Sequence, residues 1–226
     1  MLTAYQYENK RLVALEPGAD LQKAAWIDLF RGTAEEEALV RALGLDVPSL
    51  ADMEEIEVSN RLYHEDDADF LTVVLPGLDA AGQQVMNPVC FVLMAERLVT
   101  IRHHAPRPFE TYPPRAEKSS LGCSSPDRIF LSLVEEVIGR LADHLETAGR
   151  GLAAVSRSIY RAGPKAPGQE ELQRALYNLG EEGERVSRVR LSLLTLGRAQ
   201  NYVDQISGHR MSGEGLGLVL KGQLKD

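Results

Sequence analysis

Residues 26–63 read WIDLFRGTAEEEALVRALGLDVPSLADMEEIEVSNRLY, and this stretch predicts a strand, two short helices and a second strand in that order. Three of the first four residues are apolar, with β-branched and aromatic members, which is typical of a short buried strand. Thr33 with Glu36 three residues later is the signature of a capping box and predicts a helix start. Gly44 is a common helix terminator, so the first helix is expected to end there.

The second short helix is predicted to begin at Pro48, because proline is favoured in the first turn, and to continue to about Glu57. Its apolar residues recur every three positions, so we expect one inward face made of Leu50, Met53 and Ile56. Asp52 and Glu55, also three apart, are expected to share the adjoining face at the flank of this helix.

Strand patterns lie on both sides of this stretch. Runs of alternating, β-branched and aromatic residues predict two hairpins and two further strands, at residues 2–7 with 11–15, 89–94 with 98–102, 61–64 and 69–75. Strands and helices do not alternate regularly. We therefore predict the α+β class, with an N-terminal mixed sheet and flanking helices.

From residue 126 onward the apolar period becomes helical. Two apolar stripes predict two long helices, each longer than 25 residues, which run antiparallel across a Pro/Gly turn at residues 163–168. A third helical pattern begins near Leu216. We predict an α/β sensor domain at residues 1–125 and a helical arm at 126–226. The longest uncharged stretch, residues 80–95, is too short to cross a bilayer as a helix.

The charge of the chain is concentrated in one window. The net charge is −8, and residues 33–69 hold twelve acidic residues against two arginines. This balance argues against a nucleic-acid partner, since such proteins carry a basic footprint. An acidic window of this kind either faces solvent or meets cations.

Enzyme signatures are few: the sequence has no Gly-x-Ser-x-Gly elbow, phosphate loop or His-Glu-x-x-His pair, so catalysis is not favoured. His103 and His104 are adjacent on a strand, so they point to opposite faces and make poor joint metal ligands. The carboxylates suit hard cations such as Mg²⁺, which is bound through one or two carboxylates and retained waters. Glu135 and Glu136 also interrupt the apolar seam of the first long helix.

The order of these segments resembles the cytosolic domain of CorA-type divalent-cation channels. The resemblance is carried by residues 26–29, 33–44, 45–48, 52–57 and 61–63, then by the hairpin ending at residues 99–102 and the helix around residues 131–135. It covers essentially the whole chain. It implies a sheet-and-helix cytosolic domain followed by a very long helix that leads to the membrane of a homopentamer, at the cytoplasmic face of the inner membrane.

The resemblance also implies regulatory metal sites between subunits. Asp52 falls on the family's sensor aspartate, Glu135 on a ligand position of the first long helix, and Asp226 on the partner aspartate of the pore-leading helix. The acidic neighbour that can precede the sensor aspartate is Ala51 here. The implied regulatory ion is Mg²⁺, with Co²⁺ or Zn²⁺ as other ions that the family architecture could take.

Features of the family that lie in the membrane are not found in this sequence. The Gly-Met-Asn motif that selects the ion is missing, because Met86-Asn87 follows Val85. We therefore expect this chain to be the soluble part of such a channel, ending within the long helix, and unable to conduct ions alone.

Two alternatives stay open at this point. A zinc transporter of the ZntB type shares the architecture, although the few scattered His and Cys residues do not favour zinc ligation. The second is a soluble helical interaction module without a metal role, in which the acidic window only hydrates the surface.

Overall fold

The computed structural model describes residues 1–160 and 168–210 and has a seven-stranded mixed sheet at its centre. The strands are β1 Leu2–Glu8, β2 Arg11–Ala14, β3 Trp26–Phe30, β4 Leu62–Glu65, β5 Ala68–Leu78, β6 Gln84–Leu93 and β7 Leu98–Arg102. Their order across the sheet is β2-β1-β3-β7-β6-β5-β4. Only β3 and β7 pair in parallel among these strands; the other neighbours are antiparallel. The predicted α+β class and mixed sheet are confirmed.

Five α-helices accompany the sheet in the described ranges: α1 Ala34–Arg41, α2 Leu50–Glu54, α3 Pro108–Thr111, α4 Pro126–Tyr160 and α5 Gln169–Arg210. With 35 and 42 residues, α4 and α5 confirm the two long helices. They run antiparallel, since Gly151 of α4 lies opposite Glu182 of α5 while His144 lies near Arg185. The predicted third helix near Leu216 falls outside the described residues, and the division into domains at residue 125 stays a prediction.

The sheet is buried on both faces because alternate residues of each strand point to opposite sides. On one face, α1 and α2 cover a core that includes Ile27, Val40, Met53, Phe70 and Val92. On the other face, α3, α4 and α5 cover a larger core that includes Trp26, Phe91, Phe109, Phe130 and Leu196. The sheet is therefore the middle layer between two short helices and two long ones.

Strand β5 extends beyond the predicted residues 69–75 at both ends, whereas β6 begins before the predicted residues 89–94 and ends at Leu93. The sequence pattern ends early because Pro76 and Pro88 interrupt it, and proline cannot donate a ladder hydrogen bond. Pro88 pairs with Val74 of β5 but lies beyond the residues of β6 that pair with β7, which begin at Val89. Proline is tolerated there because no strand needs its missing N–H.

The second short helix differs from the prediction at both ends. It begins after Ser49, which is the N-cap, and it ends at Glu54, so Pro48 lies before the helix rather than in its first turn. Met53 is buried as expected, but Ile56 lies past the helix end and is 87% exposed. The expected inward position of Ile56 was wrong because the helix stops before a further turn could direct that side chain towards the sheet.

A buried ion pair joins two neighbouring strands beneath the long helices. Asp28 of β3 accepts from the Arg102 guanidinium of β7, with Nη2–Oδ2 and Nε–Oδ1 distances of 2.7 and 3.0 Å. Thr100 also donates to Asp28, and the Arg102 guanidinium lies over the rings of Phe30 and Phe109. This pair fixes the end of β7, from which the chain continues into α3.

Candidate functional site

An acidic surface covers the α1–α2 side of the molecule. We define it by the exposed carboxylates of the acidic window: Glu35, Asp46, Asp52, Glu54, Glu55, Glu57, Glu65, Asp66 and Asp67. Asp69, by contrast, is buried and contacts the His64 ring nitrogen Nδ1 at 2.8 Å. Most of the acidic window therefore faces solvent, where its charge is accessible to cations.

Asp52 occupies a defined position on this surface, at the third residue of α2. Its Oδ2 atom accepts hydrogen bonds from the Ser49 hydroxyl and the Ser49 backbone N–H at 2.6 and 2.8 Å, which completes a capping box. These bonds favour the ionised form and lower the pKa of the Asp52 carboxyl below its ordinary value. Within the described residues Oδ1 accepts no hydrogen bond, so one oxygen of a fixed carboxylate remains free for a ligand.

Glu55, which the sequence predicts to share a helix face with Asp52, has hydrogen-bond partners of its own. Glu55 is the C-cap of α2, and its carboxylate accepts from the Asn60 side chain. Its backbone carbonyl accepts from Arg61. Helix α2 ends at Glu54, and the two carboxylates have different hydrogen-bond partners, so the shared face of Asp52 and Glu55 stays a prediction.

On α4, the two candidate carboxylates have different partners. Glu136 forms an ion pair with Arg115 at 3.2 Å and accepts from Thr111 at 2.8 Å. Among residues 1–160 and 168–210, Glu135 accepts from the hydroxyls of Ser119 and Ser120, at 3.1–3.4 Å. In the part of the chain that is described, no cationic side chain lies within ion-pair distance of Glu135, so its negative charge is not neutralised.

The three residues implied by the resemblance are not brought together in one chain. Asp52 lies above the core that contains Met53, and Glu135 lies on the helix that covers the opposite face of the sheet. Asp226 lies outside the described residues. In residues 1–160 and 168–210, no group of three or more His, Cys, Asp or Glu side chains could hold a metal ion.

The two adjacent histidines do take separate environments. His104 is fully buried and its Nε2 contacts the Leu75 carbonyl oxygen at 2.9 Å, and burial lowers the pKa of His104 to about 4. His103 is half-buried and lies near Glu37 and Glu54 on the α1–α2 side. The two side chains therefore point to different environments, which agrees with the prediction that they are poor joint ligands of one metal ion.

Comparison with known proteins identifies the family. A family model described as "CorA-like Mg2+ transporter protein" matches residues 22–215. The magnesium transport protein CorA of Escherichia coli K12 is 31% identical over 206 residues, which are 90% of this chain and 64% of that protein. The CorA protein of Pasteurella multocida is 30% identical with the same coverage. This chain thus spans just under two thirds of the length of the curated relatives it matches.

Solved structures show the same fold. The soluble domain of CorA from Methanocaldococcus jannaschii matches with a TM-score of 0.55 at 12% identity, covering 89% of this chain and 75% of that one. The complete magnesium transporter from the same organism matches with a TM-score of 0.57 at 11% identity, covering 92% and 74%. Within residues 1–160 and 168–210, no helix is both long enough and apolar enough to span a bilayer. From its sequence and its fold together, the chain belongs to the CorA-like Mg²⁺ transporter family.

Proposed function

We propose that this chain is the cytosolic regulatory part of a CorA-like divalent-cation channel, and that it senses intracellular Mg²⁺ through carboxylates at subunit contacts. In this proposal the full-length protein is a homopentamer in the inner membrane, with this part at the cytoplasmic face. Residues 1–125 act as the sensor, and residues 126–226 form the arm that leads towards the membrane. Family membership supports the channel, and the ionised, exposed carboxylate of Asp52 is the observation that carries the sensor.

Asp52 meets the chemical requirements of a Mg²⁺ ligand. Its pKa is lowered by Ser49, so the carboxylate is charged at pH 7, and Oδ1 is free while Oδ2 holds the side chain in place. Mg²⁺ dehydrates reluctantly and is usually bound through one or two carboxylates plus waters, which an exposed site allows. The proposed second and third ligands are Glu135 and Asp226, contributed by neighbouring subunits.

The proposed switch follows from electrostatics. Two carboxylates at 4 Å repel each other by about 4 kcal/mol at an effective dielectric constant near 20. A divalent cation between them replaces this repulsion with attraction to both. High Mg²⁺ then holds subunits together with the pore closed, and loss of Mg²⁺ lets them separate and the pore open.

The test is a MgCl₂ titration of this chain at constant ionic strength, followed by thermal unfolding and sedimentation velocity. At a Mg²⁺ concentration 100 times its dissociation constant, we expect the free energy of unfolding to rise by about 2.7 kcal/mol. For a chain of this size that corresponds to a rise in Tm of about 5–11 °C. The sedimentation coefficient should rise with it, because the ion is proposed to bridge subunits. Parallel titrations with CoCl₂ and ZnCl₂ rank the three ions by their affinity for this chain.

Three variants separate sensing from folding. Asp52→Asn should lose the Mg²⁺ response. Ser49→Ala removes the cap hydroxyl without changing charge, and the backbone N–H of residue 49 still holds Oδ2 of Asp52. It should lower stability by about 1 kcal/mol and weaken the Mg²⁺ response without abolishing it. Glu65→Gln removes one charge from the same acidic surface and should also keep the response. Identical Mg²⁺ responses of the wild type and Asp52→Asn, or no response of the wild type at millimolar Mg²⁺, would refute the sensor.

A further inference from the structure

A cavity of about 470 Å³ lies on the other side of the sheet, where three parts of the molecule meet. Its walls come from the end of the β5–β6 hairpin, from the segment that leads into α3, and from α4 and α5. Its volume falls within the range of small-molecule sites, about 300–1,000 Å³. Since α1 and α2 cover the opposite face, this cavity is separate from the acidic surface.

Four arginines line this cavity: Arg107, Arg140, Arg185 and Arg188. They come from the α3 segment, from α4 and from α5, so no single helix pattern accounts for their meeting. The Arg107 side chain is exposed and has no hydrogen-bond or ion-pair partner among the residues that the structure describes. In a chain with a net charge of −8, this concentration of arginine is unusual.

Three glutamates also line the cavity, Glu110, Glu181 and Glu184, so its four arginines exceed its carboxylates by one. Glu184 pairs with Arg188 one turn away, and Glu181 is engaged by the Tyr177 hydroxyl. Arg140 and Arg185 have partners that do not line the cavity: Asp143 at 3.5 Å and Glu182 at 2.9 Å. Three guanidinium groups, those of Arg107, Arg140 and Arg185, therefore have donors to offer to a bound anion.

The environment of His144 supports this view of the cavity. Burial, and after it the positive charges of Arg140 and Arg185, lower the pKa of His144. The positive charges of two arginines, one on α4 and one on α5, are thus both close to the His144 side chain in the cavity wall. An anion bound there would meet both of them.

The floor of the cavity is held in place by backbone contacts. Leu78 at the end of β5 and Ala105 after β7 exchange hydrogen bonds in both directions, at 2.8 and 3.2 Å. Gly77 permits this approach, because a Cβ atom there would lie 2.8 Å from the Ala105 carbonyl carbon. Arg107 follows two residues later, so its backbone is positioned before any ligand arrives.

We propose that this cavity binds a small organic phosphate. Guanidinium groups form paired hydrogen bonds with phosphoryl oxygens, and the three terminal oxygens of a phosphate can accept from several of them at once. Part of the wall is apolar, with Pro76, Leu78, Val85 and Val189, and can accommodate an organic body attached to the phosphoryl group. This site goes beyond the proposed Mg²⁺ sensor and uses none of its residues.

The test is calorimetric titration of this chain in buffer that contains EDTA, so that its outcome is independent of Mg²⁺ sensing. The probes are ADP, phenyl phosphate, pyrophosphate and citrate. We expect ADP or phenyl phosphate to bind more tightly than pyrophosphate, which lacks the organic body, and more tightly than citrate, which lacks phosphorus. Arg107→Gln should weaken binding about tenfold or more, since a hydrogen bond to a charged group is lost.

The matched control is Arg157→Gln, which removes the same charge from an exposed position on α4 away from the cavity wall. Its affinity should equal that of the wild type. Arg185→Gln provides a second variant on a different helix and should weaken binding as Arg107→Gln does. The proposal is overturned by absence of heat with every phosphate probe, by citrate binding as tightly as the organic phosphates, or by unchanged affinity in both cavity variants.

Discussion

The substitution Asp28→Asn should destabilise the fold strongly while preserving the size of the side chain. Asp28 and Arg102 are each only 5% exposed. Removing the negative charge leaves a buried guanidinium without a counter-charge, which costs about 3–5 kcal/mol. Arg102 cannot turn to solvent, since its guanidinium lies between the Phe30 and Phe109 rings, 4.2 and 4.9 Å from their centroids.

This cost is large compared with the total free energy of unfolding of a domain. Domains are stable by about 5–15 kcal/mol, so the variant should lose about a fifth of that or more. In a chain of this length the loss corresponds to a fall in Tm of about 6–20 °C. Urea unfolding followed by circular dichroism measures it without depending on Trp26, which lies in the same hydrogen-bond network through Thr100.

Two controls sharpen this measurement. Asp46→Asn makes the same change at a carboxylate that is 79% exposed, and should alter stability by less than about 0.5 kcal/mol. Replacing the pair together, with Asp28→Leu and Arg102→Met, should recover most of the loss, because no uncompensated charge remains. If Asp28→Asn cost less than about 1 kcal/mol, the reasoning that Asp28 alone balances the Arg102 charge would be refuted.

Two further predictions concern the short helix and the buried histidine. Met53→Ala should lower the free energy of unfolding by about 2–5 kcal/mol, measured in urea, because the side chain is 1% exposed. Ile56→Ala, at an 87% exposed position, should lower it by less than about 0.5 kcal/mol. Equal losses in the two variants would contradict the assigned end of α2. Burial lowers the pKa of His104 from 6.5 to about 4, so the unfolded chain binds the extra proton first and the free energy of unfolding should fall as pH drops from about 6.5 towards 4. His104→Gln should reduce the difference in stability between pH 7.5 and pH 5, and an unchanged difference would argue against this origin.

Local signals were sufficient for most of the fold. Thr33 and Glu36 do form the capping box that the sequence predicts, with both reciprocal hydrogen bonds present. The long helices follow from a sustained apolar period. Helix α2 begins later than the proline signal at Pro48 predicts, because Ser49 is its N-cap and forms a capping box with Asp52, three residues later. That spacing indicates that Asp52 closes the capping box of α2 as well as being a candidate ligand.

Features that depend on distant parts of the chain could not be predicted in this way. The arginine cavity joins residues from 76 to 189, and none of its arginines belongs to a recognisable motif. The partner of Glu136 is another example, because Arg115 is 21 residues away and lies in a 3-10 turn. The sequence gives the number and sign of the charged side chains, whereas the fold determines which of them lie within ion-pair distance of each other.

The connection between the proposed sensor and the long helices passes through the sheet. α2 packs on one face, while α5 is joined to the other through β5, where the Val74 N–H donates to the Thr195 hydroxyl at 3.1 Å. Among the residues of β5, β4 pairs with Ala68 to Leu71 and does not reach Val74. The Thr195 hydroxyl of α5 therefore accepts the hydrogen bond of the Val74 N–H that a longer β4 would have accepted. A sheet with both faces buried is close-packed and transmits displacement rather than absorbing it. A subunit that shifts at α2 should therefore carry its sheet and α5 with it as one body, and the proposed gating motion lies between copies of this domain rather than within its sheet.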